Sequence, residues 1–179
     1  MREEDDRALV ARCCDGDRRA FEQLVLRYQK PVFNAALRML HDPQEALDIA
    51  QTTFLKAFEH LADYDPTYKF YSWIYRIALN ESLTALGARR SFDGIDGEEP
   101  DEAPGPDRLA EGEQVRRAIE AALRGISPEL RSVVVLRHFM NLSYEDMAQI
   151  LELPEKTVKS RLYSARQQLR DELRRRGVV

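Results

Sequence analysis

A segment in the middle of the chain constrains the fold most, because it cannot take part in a hydrophobic core. Residues 91–113 read SFDGIDGEEPDEAPGPDRLAEGE. A stretch so rich in acids, glycine and proline, and so poor in apolar residues, cannot offset its ordering entropy by burial. The sequence therefore predicts two folded units, residues 1–90 and 115–179, joined by a flexible acidic linker over residues 91–114.

Both units carry apolar residues at helical spacing. In the first unit, Phe21, Leu24, Val25 and Tyr28 recur on one helical face. The chain has eight glycines, eight prolines and 44% apolar residues, which is typical of a soluble helical protein. We predict an all-α fold of two helical domains.

Capping residues mark several helix boundaries. Asp42 before Pro43 predicts a helix start, and this helix should continue to about Leu61. The last helix of the first unit is predicted from about Tyr71 to near Gly87.

The second unit should contain a helix-turn-helix near its C-terminus. A helix is expected from about residue 114 to 124, and another starts at Pro128 after the N-cap Ser127. Ser143 opens a short helix as a capping box, residues 152–154 form a turn, and the last helix runs from Glu155 to about Arg175. A short helix, a turn and a longer helix can project one helix into the DNA major groove.

The exposed face of this last helix is predicted to be basic. Val158, Leu162, Ala165 and Leu169 form its apolar seam, and residues 156–176 carry eight basic and two acidic side chains. Such a face can neutralise phosphates and read base edges, although a solvated surface helix has a similar pattern. The candidate DNA-binding residues of this face are Lys156, Lys159, Ser160, Arg161, Tyr163 and Arg166.

The net charge of −4 conceals an uneven distribution. Residues 1–90 carry a net charge of −1, residues 91–114 carry −8 and residues 115–179 carry +5. Because attraction to phosphates depends on where charge sits, the second unit is compatible with DNA binding.

Aromatic and basic residues are concentrated between residues 64 and 80. Interleaved aromatic and basic side chains can stack on unpaired nucleotides, but a helix-packing cluster has the same composition. Packing is the favoured interpretation for Phe70, Trp73 and Ile77. The candidates for DNA contact are Tyr64, Lys69, Tyr71, Arg76 and Asn80.

Other classes of protein find little support in the sequence. We find no nucleophile–base pair, phosphate-binding glycine loop or metal-ligand spacing, so we expect no enzymatic activity, no cofactor and no metal. The adjacent Cys13 and Cys14 are expected to be free thiols. The acidic N-terminus and the lack of a long apolar run predict a cytoplasmic protein without a membrane span.

Nearly the whole chain resembles the extracytoplasmic-function (ECF) sigma factors, a group of the main bacterial sigma family. The resemblance rests on the blocks AFEQLVLRYQKPVFNAALRML, DIAQTTFLKAF, YDPTYKFYSWIYRIALN and ISPELRSVVVLRHFMNLSYEDMAQILELPEKTVKSRLYSARQQL. It implies binding to core RNA polymerase, at its clamp helices and flap, and to promoter DNA.

The resemblance also assigns roles to residues. The second domain would read the minus-35 element through Lys159, Ser160, Arg161, Tyr163 and Arg166. The first domain would open the minus-10 element with the loop from Tyr64 to Phe70 and the helix bearing Arg76 and Asn80. The surface that grips the polymerase clamp helices would contain Asp48, Gln51, Phe54 and Leu55.

The chain departs from the family pattern at the clamp-binding helix. Thr52 stands where Glu is expected, and Gln44 and Leu47 replace further expected acids, so attraction to a basic partner surface is reduced. Phosphothreonine would restore about two negative charges. We therefore hypothesise that a Ser/Thr kinase activates the protein at Thr52 or, as the second choice, Thr53. A second departure is Glu152, which occupies a turn position where the family commonly has Gly.

Two alternatives remain at this stage. An anti-sigma protein, common in the family, could hold the factor inactive in place of a phosphorylation switch. The chain could also be a conventional helix-turn-helix regulator whose first half senses a ligand or partner, and co-purification with core polymerase would distinguish the two classes.

Overall fold

A computed structural model describes residues 5–93 and 111–178 of the chain. The described residues form helices and contain no strand, which confirms the predicted all-α fold. A 3-10 turn at Leu61–Asp63 follows the third helix, and a π-helical segment at Val135–Phe139 continues the sixth. The α-helices are α1 (Asp6–Cys14), α2 (Arg18–Leu40), α3 (Pro43–Glu59), α4 (Phe70–Asp93), α5 (Glu111–Arg124), α6 (Pro128–Val134), α7 (Tyr144–Leu151) and α8 (Glu155–Arg175).

Helices α1 to α4 form a bundle in which α2, α3 and α4 pack against one another. Its core contains Leu24, Met39, Phe70 and Ile74, all buried. The start of α3 is capped by Asp42, whose carboxylate accepts a 2.9 Å hydrogen bond from the backbone N–H of Glu45. The predicted start of this helix is therefore confirmed.

The end of α4 differs from the sequence prediction. The helix continues through Gly87 to Asp93 instead of ending near Gly87. Beyond the glycine, the guanidinium of Arg89 contacts the carboxylate of Glu45 in α3, with 3.1 Å between Nε and Oε1, which ties the additional turn to the bundle. Helix α5 also begins earlier than predicted, at Glu111. The rest of the predicted linker, residues 94–110, lies outside the described residues.

Helices α5 to α8 form the second unit and include the predicted helix-turn-helix. Ser127 and Ser143 cap α6 and α7, their hydroxyls accepting backbone N–H bonds at 3.4 and 3.1 Å. Between α7 and α8, Glu152 adopts the left-handed conformation, with φ of 53°. The limits of α8, Glu155–Arg175, agree with the prediction.

The two units pack against each other. Helix α7 lies against α4, and the π-helical segment lies against α2. At the second contact, Arg38 of α2 pairs with Glu120 of α5 at 3.0 Å and stacks over the ring of Phe139, with 4.5 Å between its Cζ and the ring centroid. Nothing in the sequence pattern predicted this contact. Within the described ranges, no helix has both the length and the apolarity needed to cross a bilayer.

Candidate nucleic-acid interface

Helix α8 presents the predicted basic face to solvent. Val158, Leu162 and Ala165 are buried against the rest of the second unit, while Leu169 is half-buried, which confirms the apolar seam. Arg161 borders this seam and is half-buried. The other five candidates of this helix are exposed to solvent, and they are Lys156, Lys159, Ser160, Tyr163 and Arg166.

Neighbouring side chains orient two cations of this face. The ammonium of Lys159 lies 2.8 Å from the carboxylate of Glu155 and 5.2 Å from the centroid of the Tyr144 ring. The guanidinium of Arg166 lies 3.4 Å from Nε2 of His138. Burial, together with the charge of Arg166, lowers the pKa of His138 below its ordinary value. A neutral His138 can accept a hydrogen bond from Arg166 and hold it on the surface.

The aromatic residues of the first unit divide into core and surface. Phe70 is buried, and its ring centroid lies 5.7 Å from those of Tyr64 and Trp73. Trp73 and Ile77 are half-buried against the core, in agreement with their predicted packing role.

Tyr64, a predicted DNA contact, lies in this core. Its side chain is only 7% exposed, and its hydroxyl donates a 2.5 Å hydrogen bond to the carbonyl of Tyr68. The ring is therefore not available for base stacking in this conformation; it holds the loop between α3 and α4 in place. Burial raises the pKa of Tyr64.

The remaining candidates of the first unit lie on α4 or just before it. Lys69 and Asn80 are exposed, whereas Tyr71 and Arg76 are half-buried. Asn80 lines an open pocket of about 340 Å³. The other residues lining this pocket are Lys56, His60, Asp63, Trp73, Ile77 and Glu81.

Two of these candidates contact the second unit. The ammonium of Lys69 lies 2.9 Å from the Tyr71 hydroxyl and 3.1 Å from the Asp146 carboxylate, and both contacts raise the pKa of Lys69. Arg76 donates a 2.8 Å hydrogen bond to the carbonyl of Gln149 and pairs with Glu152 at 3.0 Å. The predicted minus-10 surface is thus partly covered by α7 and the turn that follows it.

Helix α3 places the predicted polymerase-binding residues on its outer side. Asp48, Gln51 and Leu55 are exposed, and Phe54 is half-buried. Gln51, Phe54 and Leu55 line a largely apolar groove of about 850 Å³ between α2 and α3. The groove is lined by Phe21, Val25, Gln29, Lys30, Phe33, Leu47, Ala50, Gln51, Phe54, Leu55 and Phe58.

The sequence analysis did not identify most of the apolar residues that line this groove. A sequence pattern in α3 could have indicated the groove, because the buried side chains of this helix are small and its large apolar side chains are exposed, the reverse of an ordinary core helix. The buried residues are Ala46, Ala50, Thr53 and Ala57. The exposed ones are Leu47, Leu55 and Phe58.

The two threonines of α3 have different environments. Thr53 is fully buried, and its hydroxyl donates a 2.7 Å hydrogen bond to the carbonyl of Ile49. Thr52 is half-buried, on the side of the helix nearer to Asp48 and Leu55. Cys13 and Cys14 are free thiols, as predicted. Within residues 5–93 and 111–178, no cluster of three potential metal ligands occurs.

Both units match known family models. Residues 24–92 match Sigma-70 region 2, and residues 116–169 match Sigma-70, region 4. The chain is 35% identical over 179 residues to the RNA polymerase sigma-H factor of Pseudomonas aeruginosa, with 93% of each chain covered. It is 33% identical over 174 residues to the ECF RNA polymerase sigma-E factor of Escherichia coli K12, with 90% of this chain and 91% of that protein covered.

Solved structures show the same fold. CnrH in complex with the cytosolic domain of CnrY is 28% identical, with a TM-score of 0.73 over 95% of this chain and 97% of that one. The sigma factor RpoE in complex with the anti-sigma factor NepR, from Bartonella quintana, has a TM-score of 0.69 at 24% identity. That alignment covers 86% of this chain and 96% of RpoE.

Proposed function

This chain belongs to the ECF sigma factors of the sigma-70 family, and we propose that it binds core RNA polymerase and directs it to promoters by reading two DNA elements with its two helical units. It is a transcription initiation factor rather than a catalyst. The proposal rests on the exposed basic face of α8, which is the second helix of the helix-turn-helix. Family membership sets aside the conventional helix-turn-helix regulator considered above.

Helix α8 reads the minus-35 element in this proposal. Lys159, Ser160 and Arg166 are exposed on the side of the helix opposite the buried seam, where a helix in the major groove meets base edges. Lysine and arginine donate to guanine, and serine can donate or accept at several bases. Lys156, Arg161 and Tyr163 flank this set and are suited to phosphate contacts.

The first unit opens the minus-10 element. Lys69 and Arg76 supply positive charge for the DNA backbone, and Tyr71 supplies a partly exposed ring. Asn80 can hydrogen-bond the edge of an extruded base in the adjacent pocket. Tyr64 contributes indirectly, by holding the loop before α4 in shape.

The groove between α2 and α3 binds core polymerase. Large apolar side chains in a groove suit the apolar face of a partner helix, and polar contacts come from Gln51 in the lining and from the exposed Asp48 on the same helix. Phe54 and Leu55 are the apolar anchors of the proposed surface.

Transcription with core polymerase tests the α8 assignment. A promoter is first selected from a random duplex library by core polymerase together with the Thr52→Glu form of the protein, whose carboxylate replaces the phosphate of the proposed switch, and all variants carry this change. On this promoter, Lys159→Ala combined with Arg166→Ala should reduce initiation at least about tenfold, since each base contact contributes about 1–3 kcal/mol. Arg19→Ala removes an exposed cation at the start of α2 and should have no effect. Equal activity of all three proteins would refute the assignment.

The regulatory part of the proposal is that phosphorylation of Thr52 activates the factor. Thr52 is half-buried and lies one helical turn from Asp48 and close to Leu55, so a phosphate there would add negative charge to the proposed polymerase-binding surface. Thr53 is less suited, because its buried hydroxyl is bonded to the Ile49 carbonyl.

Variants at Thr52 test this switch in vitro. Without kinase, Thr52→Glu should bind core polymerase and initiate transcription better than the wild type, while Thr52→Ala should stay inactive after kinase treatment. Strong transcription by the untreated protein, unchanged in Thr52→Ala, would contradict the switch.

An anti-sigma protein is the alternative regulator. The similarity to CnrH, whose structure contains the cytosolic domain of CnrY, favours this second candidate. Co-purification of a partner that blocks transcription by both wild type and Thr52→Glu would support it.

A further inference from the structure

Helix α8 carries one acidic side chain at the end that the proposed function brings to DNA. Glu155 is the first residue of the helix and is exposed, whereas the other two acids of α8, Asp171 and Glu172, lie near its C-terminal end. An acid in the first turn stabilises a helix through the helix dipole. The N-terminal residues of a recognition helix also meet base edges, so in the proposed complex this carboxylate lies where the sequence is read.

Glu155 is paired with a cation one helical turn further along. Its Oε2 lies 2.8 Å from Nζ of Lys159, and the two side chains are 46% and 54% exposed. The same ammonium lies over the ring of Tyr144, 5.2 Å from the ring centroid. The ammonium is thus held between a carboxylate and an aromatic ring, and both charges of the pair remain accessible to a ligand.

An acceptor and a donor at this spacing match the major-groove edge of a base pair. In a C·G pair the amino group of cytosine donates to O6 of guanine across about 2.9 Å, the usual N–H···O distance. Because Oε2 and Nζ have nearly the same separation, the carboxylate can accept the second amino proton of cytosine while the ammonium donates to O6. Glutamate to cytosine and lysine to guanine are the pairings expected for these side chains.

The same arrangement disfavours the other base pairs. A reversed G·C pair would place the guanine oxygen against the carboxylate and the cytosine amino group against the ammonium, so both hydrogen bonds would be lost. An A·T pair offers an amino group and a carbonyl in the right order, but the ammonium would meet the thymine methyl group where guanine has its second acceptor, N7. A T·A pair combines both faults.

We propose that Glu155 is a specificity-determining residue that, together with Lys159, selects one C·G base pair in the upstream DNA element, with cytosine on the side of the carboxylate. This inference rests on the proposed minus-35 role of α8. Glu155 restricts binding rather than strengthening it, because its charge opposes the DNA phosphates. Removing this carboxylate should therefore relax the sequence preference without weakening the general attraction to DNA.

Selection from a random duplex library tests the proposal. Core polymerase is combined with the Thr52→Glu protein as the parent, bound duplexes are sequenced, and the selection is repeated with Glu155→Ala or Glu155→Gln added. The parent should select an upstream element with an invariant C·G pair, and both variants should lose this preference about tenfold, the discrimination of a good base contact. Glu155→Gln should admit adenine in place of cytosine, because a carboxamide can bind N6 and N7 of adenine.

Asp171→Asn is the matched control for net charge. It removes an exposed acid about 24 Å further along the same helix and should select the same element as the parent.

Exchange of the two charges gives the sharper readout. Glu155→Lys combined with Lys159→Glu keeps the net charge and the ion pair but exchanges donor and acceptor, so the selected pair should reverse from C·G to G·C. Fluorescence anisotropy then measures the affinity of the polymerase complexes for labelled duplexes that differ only at this pair. A merely structural role of Glu155 would change the affinity for all these duplexes equally and leave the preference unchanged.

The possible outcomes separate failure of this inference from failure of the proposed function. A shared upstream element that keeps the same base pair in Glu155→Ala and after the charge exchange would leave the role of α8 standing and overturn the role of Glu155. A parent element without an invariant C·G pair would overturn it as well. Selection of no shared upstream element by the parent would refute the minus-35 role of α8, and this inference with it.

Discussion

Arg131 joins helix ends from both units. Its side chain is 6% exposed and donates to the carbonyls of Leu123, Arg124 and Ile126 at 2.9, 3.0 and 3.3 Å, and also to the carbonyl of Met39. These carbonyls belong to the ends of α5 and α2 and the loop after α5, where helical partners run out. A guanidinium has five N–H donors in a rigid plane, whereas an ammonium has three, fewer than the four carbonyls that Arg131 contacts.

Arg131→Lys should therefore destabilise the protein although the charge is kept. Several buried carbonyls would lose their partner, so we expect the free energy of unfolding to fall by about 2–4 kcal/mol. Urea unfolding of Arg131→Lys and of the exposed control Arg170→Lys measures this. A loss equal to that of the control would contradict the structural role.

His41 ends α2 in a left-handed conformation, with φ of 58°, and its Nε2 is buried without a partner. Burial and nearby arginines lower the pKa of His41 to about 3. The folded pKa lies below the ordinary value of 6.5, so the unfolded chain binds the extra proton as the pH falls from about 6.5 towards 3. The free energy of unfolding therefore decreases as the pH falls through this range. The arginines concerned are Arg131, Arg124, Arg38 and Arg89.

Replacing His41 by asparagine, which tolerates the left-handed conformation, should reduce this pH dependence. Between pH 7.5 and 5.5, the wild type should lose about 1 kcal/mol more stability than His41→Asn. Chemical unfolding of both proteins at the two pH values gives the difference. Parallel pH profiles would show that His41 is not the group responsible.

At the scale of elements, helix α3 has an inner face of small, closely packed residues and an outer face with exposed large apolar side chains. Small residues such as Ala57 let it approach α2 and α4, while Leu55, 64% exposed, and Phe58 face the groove. The inner face serves stability, and the outer face serves partner binding.

Two substitutions in α3 should separate these roles. Leu55→Glu should weaken binding to core polymerase at least about tenfold, as expected for an apolar anchor, without lowering the unfolding temperature. Ala57→Leu should instead destabilise the fold by about 1–3 kcal/mol through overpacking, because Ala57 is fully buried and does not line the groove. Binding and thermal unfolding are measured for both. A destabilised Leu55→Glu protein would place Leu55 in the core instead.

Helix starts could be predicted from the sequence better than helix ends. Asp42, Ser127 and Ser143 cap their helices as expected, because a short polar side chain satisfies free N–H groups at a fixed spacing. The end of α4 was missed, because Gly87 does not stop a helix when Arg89 beyond it reaches a tertiary partner. Tyr64 was assigned to the DNA surface for a related reason: composition does not show which aromatic ring faces inward.

At the scale of the whole molecule, the second unit covers part of the first. The contact pairs Lys69 with Asp146 and Arg76 with Glu152, residues more than 70 positions apart in sequence. Each pair joins a residue of the first unit to one of the second, so periodicity and capping within one unit carry no information about the pairing. The basic face of α8 could be predicted because it depends on local spacing alone, whereas the covered minus-10 surface depends on how the units meet.

Mapping of transcript starts measures whether this protein directs core RNA polymerase to promoters. Core RNA polymerase is incubated with fragmented genomic DNA of the source organism, with and without this protein in the Thr52→Glu form, and the 5′ ends of the RNA products are sequenced. We expect new starts that require the protein and lie downstream of one shared pair of sequence elements. Binding of the protein to duplex DNA without polymerase, with no new starts in its presence, would refute its role as a sigma factor.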